Sequence, residues 1–331
     1  MSTIQPNPSP ETRTAIVVLW ALSLCHMLND TIQSLLPAIY PVLQANYALT
    51  FTQIGIMHFA YQCTAALLQP VIGNVTDTRP SFRLLPAGMG MSLLGLLILA
   101  YAHSYGVLVI AAMAVGLGSA IFHPDAARFA RAASGGRFGF AQSVFQVGGN
   151  AGTATGPLLA AYIVLPFGQG SIAWFSAIAC LGMIVLWKVG TWARSRYRTQ
   201  AVAGRVAGVA ATLRPGRVAL VIGLLAMLVV SKQLYVAGLS TFYTFYLIET
   251  FGVSVRTAQL LLFMFLAATA AGVLIGGPIG DRIGRKAVIW VSILGILPFT
   301  IALPHVGLVM ATVLTCLIGI IRASAFPAII V

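Results

Sequence analysis

The sequence predicts an all-α polytopic membrane protein made of two related helical bundles, and three observations carry that reading. Of its 331 residues, 59% are hydrophobic and 8% charged, with a mean hydropathy of +0.94. A soluble domain is about a quarter charged and about half apolar. Apolar runs long enough to cross a bilayer as helix, about 20 residues, recur along the whole chain. Basic residues fall on alternate connections between those runs. Membrane barrel strands would be about 10 residues long and alternate in polarity, which the runs do not.

Taken in order, spans are predicted at 15–43, 52–74, 83–102, 105–127, 138–165, 171–192, 218–248, 257–279, 286–303 and 306–330. Residues 1–14, "MSTIQPNPSPETRT", are polar and proline-rich, with no basic n-region and no cleavage site. They read as a disordered cytoplasmic tail, not a signal peptide. Residues 15–192 then form an N-terminal six-helix bundle, 193–217 a basic cytoplasmic linker, and 218–331 a C-terminal bundle of four helices. The four cysteines, Cys25, Cys63, Cys180 and Cys316, fall inside spans without metal spacing and read as inert buried thiols.

A net charge of +13 would suit nucleic acid if it formed a face, but it does not. Sixteen of the 19 Lys and Arg lie in the N-terminal tail or at the second, fourth, sixth and eighth connections, and only Arg256 lies on the other side. Lys232 and Arg322 lie within spans. This is the positive-inside asymmetry, and it puts the N-terminus in the cytoplasm. Nucleic acid is not an expected partner.

Internal repeats set the bundle arrangement. "GNVTDTRPSFR" (Gly73 to Arg83) follows the second span and "GGPIGDRIGRK" (Gly276 to Lys286) follows the eighth. "GLGSAIFHPDA" closes the fourth span as "GIIRASAFPAI" closes the tenth, with Gly116 matching Gly319 and Pro124 matching Pro327. Shared spacing of loops and helix ends indicates duplication. Projecting that spacing from Trp192 puts the end of a complete second half at about residue 396. Ten of an expected twelve helices are therefore predicted here, with a natural ten-span chain as the alternative.

Polar residues inside the spans are the candidate functional groups. His26, Asp30, Gln33 and Pro37 recur at steps of four, three and four, and so share a helix face, with Asn29 adjoining. A charged group at mid-bilayer costs roughly 3 kcal/mol on insertion scales, so that face is expected to line a wet passage. His26, Asn29, Asp30 and Gln33 are the candidate proton-coupling set. Asp30 bonding only to a neighbouring helix is the alternative. Gln142, Gln146 and Asn150 repeat every fourth residue in the fifth span, and His58 and Gln62 do so in the second. Amide contacts between helices explain such stripes equally well. Lys232, with Gln233, Tyr235 and Tyr243 on the same span, is the cationic candidate for an anionic substrate; snorkelling or pairing with Asp30 is its rival. Asp77, Arg79 and Asp125, with Arg128 beside Asp125, read as a cytoplasmic gate. His103, His123 and His305 show no metal spacing and read as structural.

The loop "GGPIGDRIGRK" resembles the G-x-x-x-D-R-x-G-R-K signature of the major facilitator superfamily, with Gly277, Asp281, Arg282, Gly284, Arg285 and Lys286 in place. The first copy keeps Gly73, Asp77 and Arg79, and "PSFR" replaces the later Gly-Arg-Lys. Gly152, Gly156 and Pro157 of "QVGGNAGTATGPLLAA" resemble the motif of that superfamily's antiporter branch, with alanines for its last two glycines. Generic close packing of small residues is the alternative there. Across "SLCHMLNDTIQSLLPAIYPVLQ", "IFHPDAARFARAASGGR" and "YTFYLIETFG" the chain is similar to bacterial drug-efflux members of the superfamily.

The resemblance implies a twelve-helix, two-bundle secondary transporter of the bacterial inner membrane. Such a transporter would export a small anionic phosphonate drug against protons, as a monomer in lipid, with no cofactor or metal. A transport-incompetent fragment and an exporter of another small organic solute are the alternatives. The sequence shows no nucleophile–base pair or phosphate loop, and no enzyme is expected.

Overall fold

Each predicted span falls on helix wherever the computed structural model describes it, namely over residues 15–78, 81–200 and 215–324. The first run is α1 (Ile16–Ala38) continued by α2 (Tyr40–Tyr47), and the second is α3 (Phe51–Gln62), a π-helical turn (Cys63–Leu67) and α4 (Leu68–Thr78). Then come α5 (Leu84–Ala100) and α6 (Tyr105–Ala132). The fifth run joins α7 (Phe138–Leu159), a π turn (Ala160–Val164) and the short α8 (Leu165–Phe167). A 3-10 turn (Gln169–Phe175) leads into α9 (Ser176–Gln200). After residue 214 follow α10 (Pro215–Phe251), α11 (Val255–Ile283), α12 (Arg285–Leu294), α13 (Leu297–Ala302), a 3-10 turn (Leu303–His305) and α14 (Leu308–Ala323).

The breaks have local causes. Pro37 near the end of α1 and Pro41 in the first turn of α2 split the first run at Ile39. Thr50 and Gln53 form a reciprocal capping box that starts α3. Pro298 opens α13. Among the described residues, five stretches are long and apolar enough to cross a membrane unaided: Ile16–Ala38, Tyr105–Ala132, Gln169–Arg194, Val255–Gly276 and Ala287–His305. The second run is interrupted by its π turn, and α7 carries the Gln142, Gln146 and Asn150 stripe that lowers its hydropathy.

Within the first six runs α1 lies along α7 and α5 along α6, with α9 against both α5 and α1. Beyond them α11 pairs with α14 and α10 with α11, while α11 also crosses onto α7. The α1–α7 contact exists because α7 offers no side chains there. A Cβ added to Gly148, Gly152 or Gly156 would collide with backbone atoms of Ser23, Met27 and Leu35. The repeat spacing is visible in three dimensions. A Cβ on Gly116 would strike Thr64 Oγ1 and the Tyr61 carbonyl; one on Gly319 would meet Thr269 Oγ1 and the Phe265 carbonyl.

Large apolar side chains cover much of the surface, while uncharged polar ones lie within a mostly apolar core. Leu67 is 69% exposed and Val309 79%, while Asn29, Gln259 and Thr244 are fully buried. Lipid-facing side chains are apolar and the polar ones turn inward, as a bilayer solvent demands. Two details depart from the sequence reading. Cys180 is exposed rather than buried, because it sits on the outward face of α9. That helix also runs on to Gln200, into the predicted linker. The predicted tail (1–14) and linker residues 201–214 lie outside the described residues.

Candidate functional site

The polar face of α1 points into the protein, where Asp30 is held between two imidazoles. Its Oδ2 lies 3.3 Å from His26 Nε2 and its Oδ1 3.4 Å from His123 Nε2. The far nitrogen of each ring is already committed. His26 Nδ1 lies 2.9 Å from the Phe145 carbonyl oxygen, and His123 Nδ1 lies 3.0 Å from that of Ser119. A carbonyl oxygen only accepts, so both Nδ1 atoms carry hydrogen and donate. Each Nε2 then meets the carboxylate either with a proton or with a bare lone pair. Two bare nitrogens against an ionised carboxylate would be acceptors with no hydrogen among them. The arrangement can therefore hold a proton between the carboxylate and either ring.

The sequence reads His123 as structural, and the structure brings its ring to Asp30. It lies on α6, 93 positions from Asp30 in the chain, so no periodicity on α1 could have revealed it. The donor atoms of His26, Asp30 and His123 all lie within 4.8 Å of one another, close enough to share a small cation as well as a proton. Packing holds the cluster in place. The His26 ring stacks on Phe145 at 4.0 Å between centroids, and a Cβ on Gly149 would collide with it.

Gln33 joins this cluster to an internal cavity. Its Nε2 donates to Asp30 Oδ1 (3.1 Å), as does Asn29 Nδ2 (3.2 Å). Its Oε1 accepts from Tyr61 Oη (2.8 Å) and from Ser119 Oγ (2.9 Å). The cavity, about 170 Å³, is lined by Asp30, Gln33, Ser34, His58, Tyr61 and Thr153 from the first runs. Gln233, Val236, Ala237 and Ser240 of α10, with Leu262 and Leu266 of α11, form its other wall. It thus lies between the two sets of helices. The π turn begins two residues after Tyr61, and such a turn rephases the faces of a helix near functional groups.

The candidate substrate residues are distributed differently. Gln142, Gln146 and Asn150 are half-buried along one face of α7, and Thr153 at the end of that stripe lines the cavity. Tyr235 and Tyr243 are spent elsewhere: their hydroxyls bond Thr300 Oγ1 and Thr315 Oγ1, each at 2.8 Å. Tyr246 donates to the Leu303 carbonyl. The Lys232 side chain lies outside the described residues.

At the end away from the basic loops the two sets of helices meet. Gln259 Nε2 donates to the Ala38 carbonyl (3.1 Å), Phe51 meets Phe245 edge-to-face at 5.3 Å, and Arg256 lies 5.8 Å from the Tyr162 ring. At the basic end Asp125, 1% exposed, lies 3.2 Å from Arg128. Arg128 also donates to the carbonyl (3.0 Å) and hydroxyl (2.8 Å) of Thr76 at the end of α4, where the negative pole of a helix favours a cation. Asp77, Asp281, Arg285 and Lys286 have side chains outside the described residues, and Arg79 lies wholly outside them. Gly277 falls within α11, Arg282 is exposed, and Gly284 turns the chain into α12 at φ +88°, where a side chain would be strained. Gly152, Gly156 and Pro157 are buried against α1.

Removing one partner of a buried ion pair costs about 3 kcal/mol. Arg128→Ala is therefore expected to lower the melting temperature of the purified protein clearly, and Arg128→Lys to restore part of the loss. An unchanged melting temperature in Arg128→Ala would show that the contact carries no weight.

The model of the Major Facilitator Superfamily matches residues 22–331. The chain is 49% identical to the Fosmidomycin resistance protein of Escherichia coli (strain K12), over 99% of this chain and 82% of that protein. It is 39% identical to the uncharacterized MFS-type transporter YfnC of Bacillus subtilis (strain 168), over 96% of this chain and 78% of that one. Among solved structures it resembles an inward-facing, unoccupied bacterial homolog of the human lysosomal transporter Spinster. The TM-score there is 0.71 at 18% identity, over 97% of this chain and 75% of that one. A D-xylose-proton symporter gives 0.70 at 14% identity, over 95% and 81%. These two likenesses establish the shared fold.

Proposed function

On the premise that this chain belongs to the Major Facilitator Superfamily and is a multi-pass membrane transporter, we propose proton-coupled efflux as its function. The cargo is a small anionic drug of the fosmidomycin kind, exported across the bacterial inner membrane in exchange for protons, by a protein whose N-terminus is cytoplasmic. The observation that carries this reading is the Asp30 carboxylate, shared by two histidines in the wall of a cavity between helix sets. A transported proton needs a site inside the membrane that can be loaded and emptied, and this cluster changes net charge by one unit with each proton.

Exchange follows from alternating access, in which one helix set rocks against the other about the cavity. In this reading the contacts made by Gln259, Phe51 and Arg256 close the outer end, and the Arg128–Thr76 contact lies at the cytoplasmic end. Asp30 and Gln33 line the cavity, so a bound solute and a bound proton meet through one hydrogen-bond network. Coupling free energies between such sites are typically about 1–3 kcal/mol. The relative's name supports fosmidomycin as the cargo, and the antiporter-type glycines of α7 support exchange. Lys232 remains the candidate counter-charge.

The test is accumulation of fosmidomycin in everted membrane vesicles on imposing a pH gradient, acid inside. Vesicles bearing the protein are expected to accumulate the drug and to lose it when the gradient is collapsed. Accumulation equal to that of vesicles lacking the protein, with the protein verified in the membrane, would remove the proposal.

A further inference from the structure

His58 holds a buried hydrogen-bonding atom with no partner, at the wall of the cavity and away from the proton cluster. We infer that His58 Nε2–H is the substrate-binding donor of this transporter, fixed in that form by Tyr40, and that it takes an oxygen acceptor of the cargo: a carboxylate, phosphonate or carbonyl oxygen. The inference rests on the transport reading above and adds the group that recognises the cargo.

Tyr40 decides which ring nitrogen carries the hydrogen. It is fully buried, and its hydroxyl lies 3.0 Å from His58 Nδ1, its one hydrogen-bond partner among the described residues. Left without an acceptor, a buried O–H pays the full cost of desolvation. Tyr40 therefore donates, Nδ1 accepts, and the ring hydrogen is at Nε2. The edge-to-face arrangement of the two rings, 88° between planes, holds that geometry. Nε2 is itself buried and has no hydrogen-bond partner, yet His58 lines the cavity. A donor prepared by a buried tyrosine and left unpaired in a residue of the cavity wall is available to an acceptor atom of the cargo once the wall moves to admit it.

Its position also joins recognition to coupling. The His58 ring lies 5.6 Å from that of Tyr61, whose hydroxyl is bonded to Gln33, which is bonded in turn to Asp30. A cargo oxygen at His58 sits beside the network that senses the proton. Gln62, one helical turn along α3 from His58, lines the same cavity.

Two measurements test this, and they fail separately. In the vesicle assay, His58→Leu is expected to raise the KM for the drug about tenfold, the usual weight of one hydrogen bond to a charged group, with the maximal rate largely kept. His58→Gln, which retains an N–H, is expected to recover most of that affinity. A wild-type KM in His58→Leu would overturn the inference, while absence of transport by the unmodified protein would instead remove the function proposed above. Independently of transport, nitrogen-15 NMR of histidine-labelled protein should show His58 protonated at Nε2, with that preference lost in Tyr40→Phe. A proton on Nδ1 in the unmodified protein would overturn the inference whatever the transport assay gives.

Discussion

Asp30→Asn is expected to reduce pH-gradient-driven transport at least about a hundredfold, equivalent to about 2.7 kcal/mol in the driven step, while leaving the protein folded. The reasoning is one of chemistry at fixed shape. An asparagine fills the space of Asp30 and can still donate to or accept from the His26 and His123 Nε2 atoms, so packing around the cluster survives. It cannot take up or release a proton, and with it the cluster loses the carboxylate that two imidazoles share. His123→Gln is expected to weaken transport less, because His26 still faces Asp30. The two variants together separate the carboxylate's role from that of either ring. Near-normal gradient-driven accumulation in Asp30→Asn would move the proton site elsewhere.

The second large effect is on assembly. Gly152→Leu is expected to destabilise the protein by about 3 kcal/mol or more and to abolish most membrane insertion or recovery from detergent. A Cβ at that position meets the Met27 carbonyl and its backbone neighbours on α1, and backbone cannot rotate aside as a side chain can. Separating α1 from α7 would also pull His26 from the Phe145 carbonyl, so stability and transport should fall together. Gly106→Leu on α6 provides the control. A Cβ there meets nothing within 4 Å, and its melting temperature is expected to match the unmodified protein. Equal melting temperatures for the two variants would show that the α1–α7 contact is not tight.

How much of this was legible beforehand depends on distance along the chain. His26, Asp30 and Gln33 were readable as one face because helical periodicity ties neighbours at three and four residues, and Asp30 does touch both of the others. The glycines of α7 were readable because only missing side chains permit backbone contact. His123, Ser119 and Tyr61 were not readable as part of that site. They arrive from α6 and α3 through packing, and a histidine in "IFHPDA" has no local pattern that distinguishes a proton site from a structural ring. The tyrosines of α10 misled for a related reason. The sequence puts Tyr235 and Tyr243 beside Lys232 as substrate candidates, but the rotation of α10 turns their hydroxyls onto Thr300 and Thr315 and presents Gln233, Val236, Ala237 and Ser240 to the cavity. The rotation of a buried helix about its axis is set by its neighbours, not by its own sequence. The contact at the basic end was half readable: Asp125 and Arg128 stood out as charges at a helix end, but Arg128 reaching Thr76 required the fold.

Exchange requires that cargo and proton exclude one another, that exclusion is assigned to the Asp30 cluster, and proton release on binding tests it most directly. Purified protein in weakly buffered detergent solution, mixed with the drug in the presence of a pH-sensitive dye, should acidify the solution as the drug binds. Asp30→Asn should bind the drug without that signal. Binding by the unmodified protein with no proton released, or equal release from Asp30→Asn, would contradict the account.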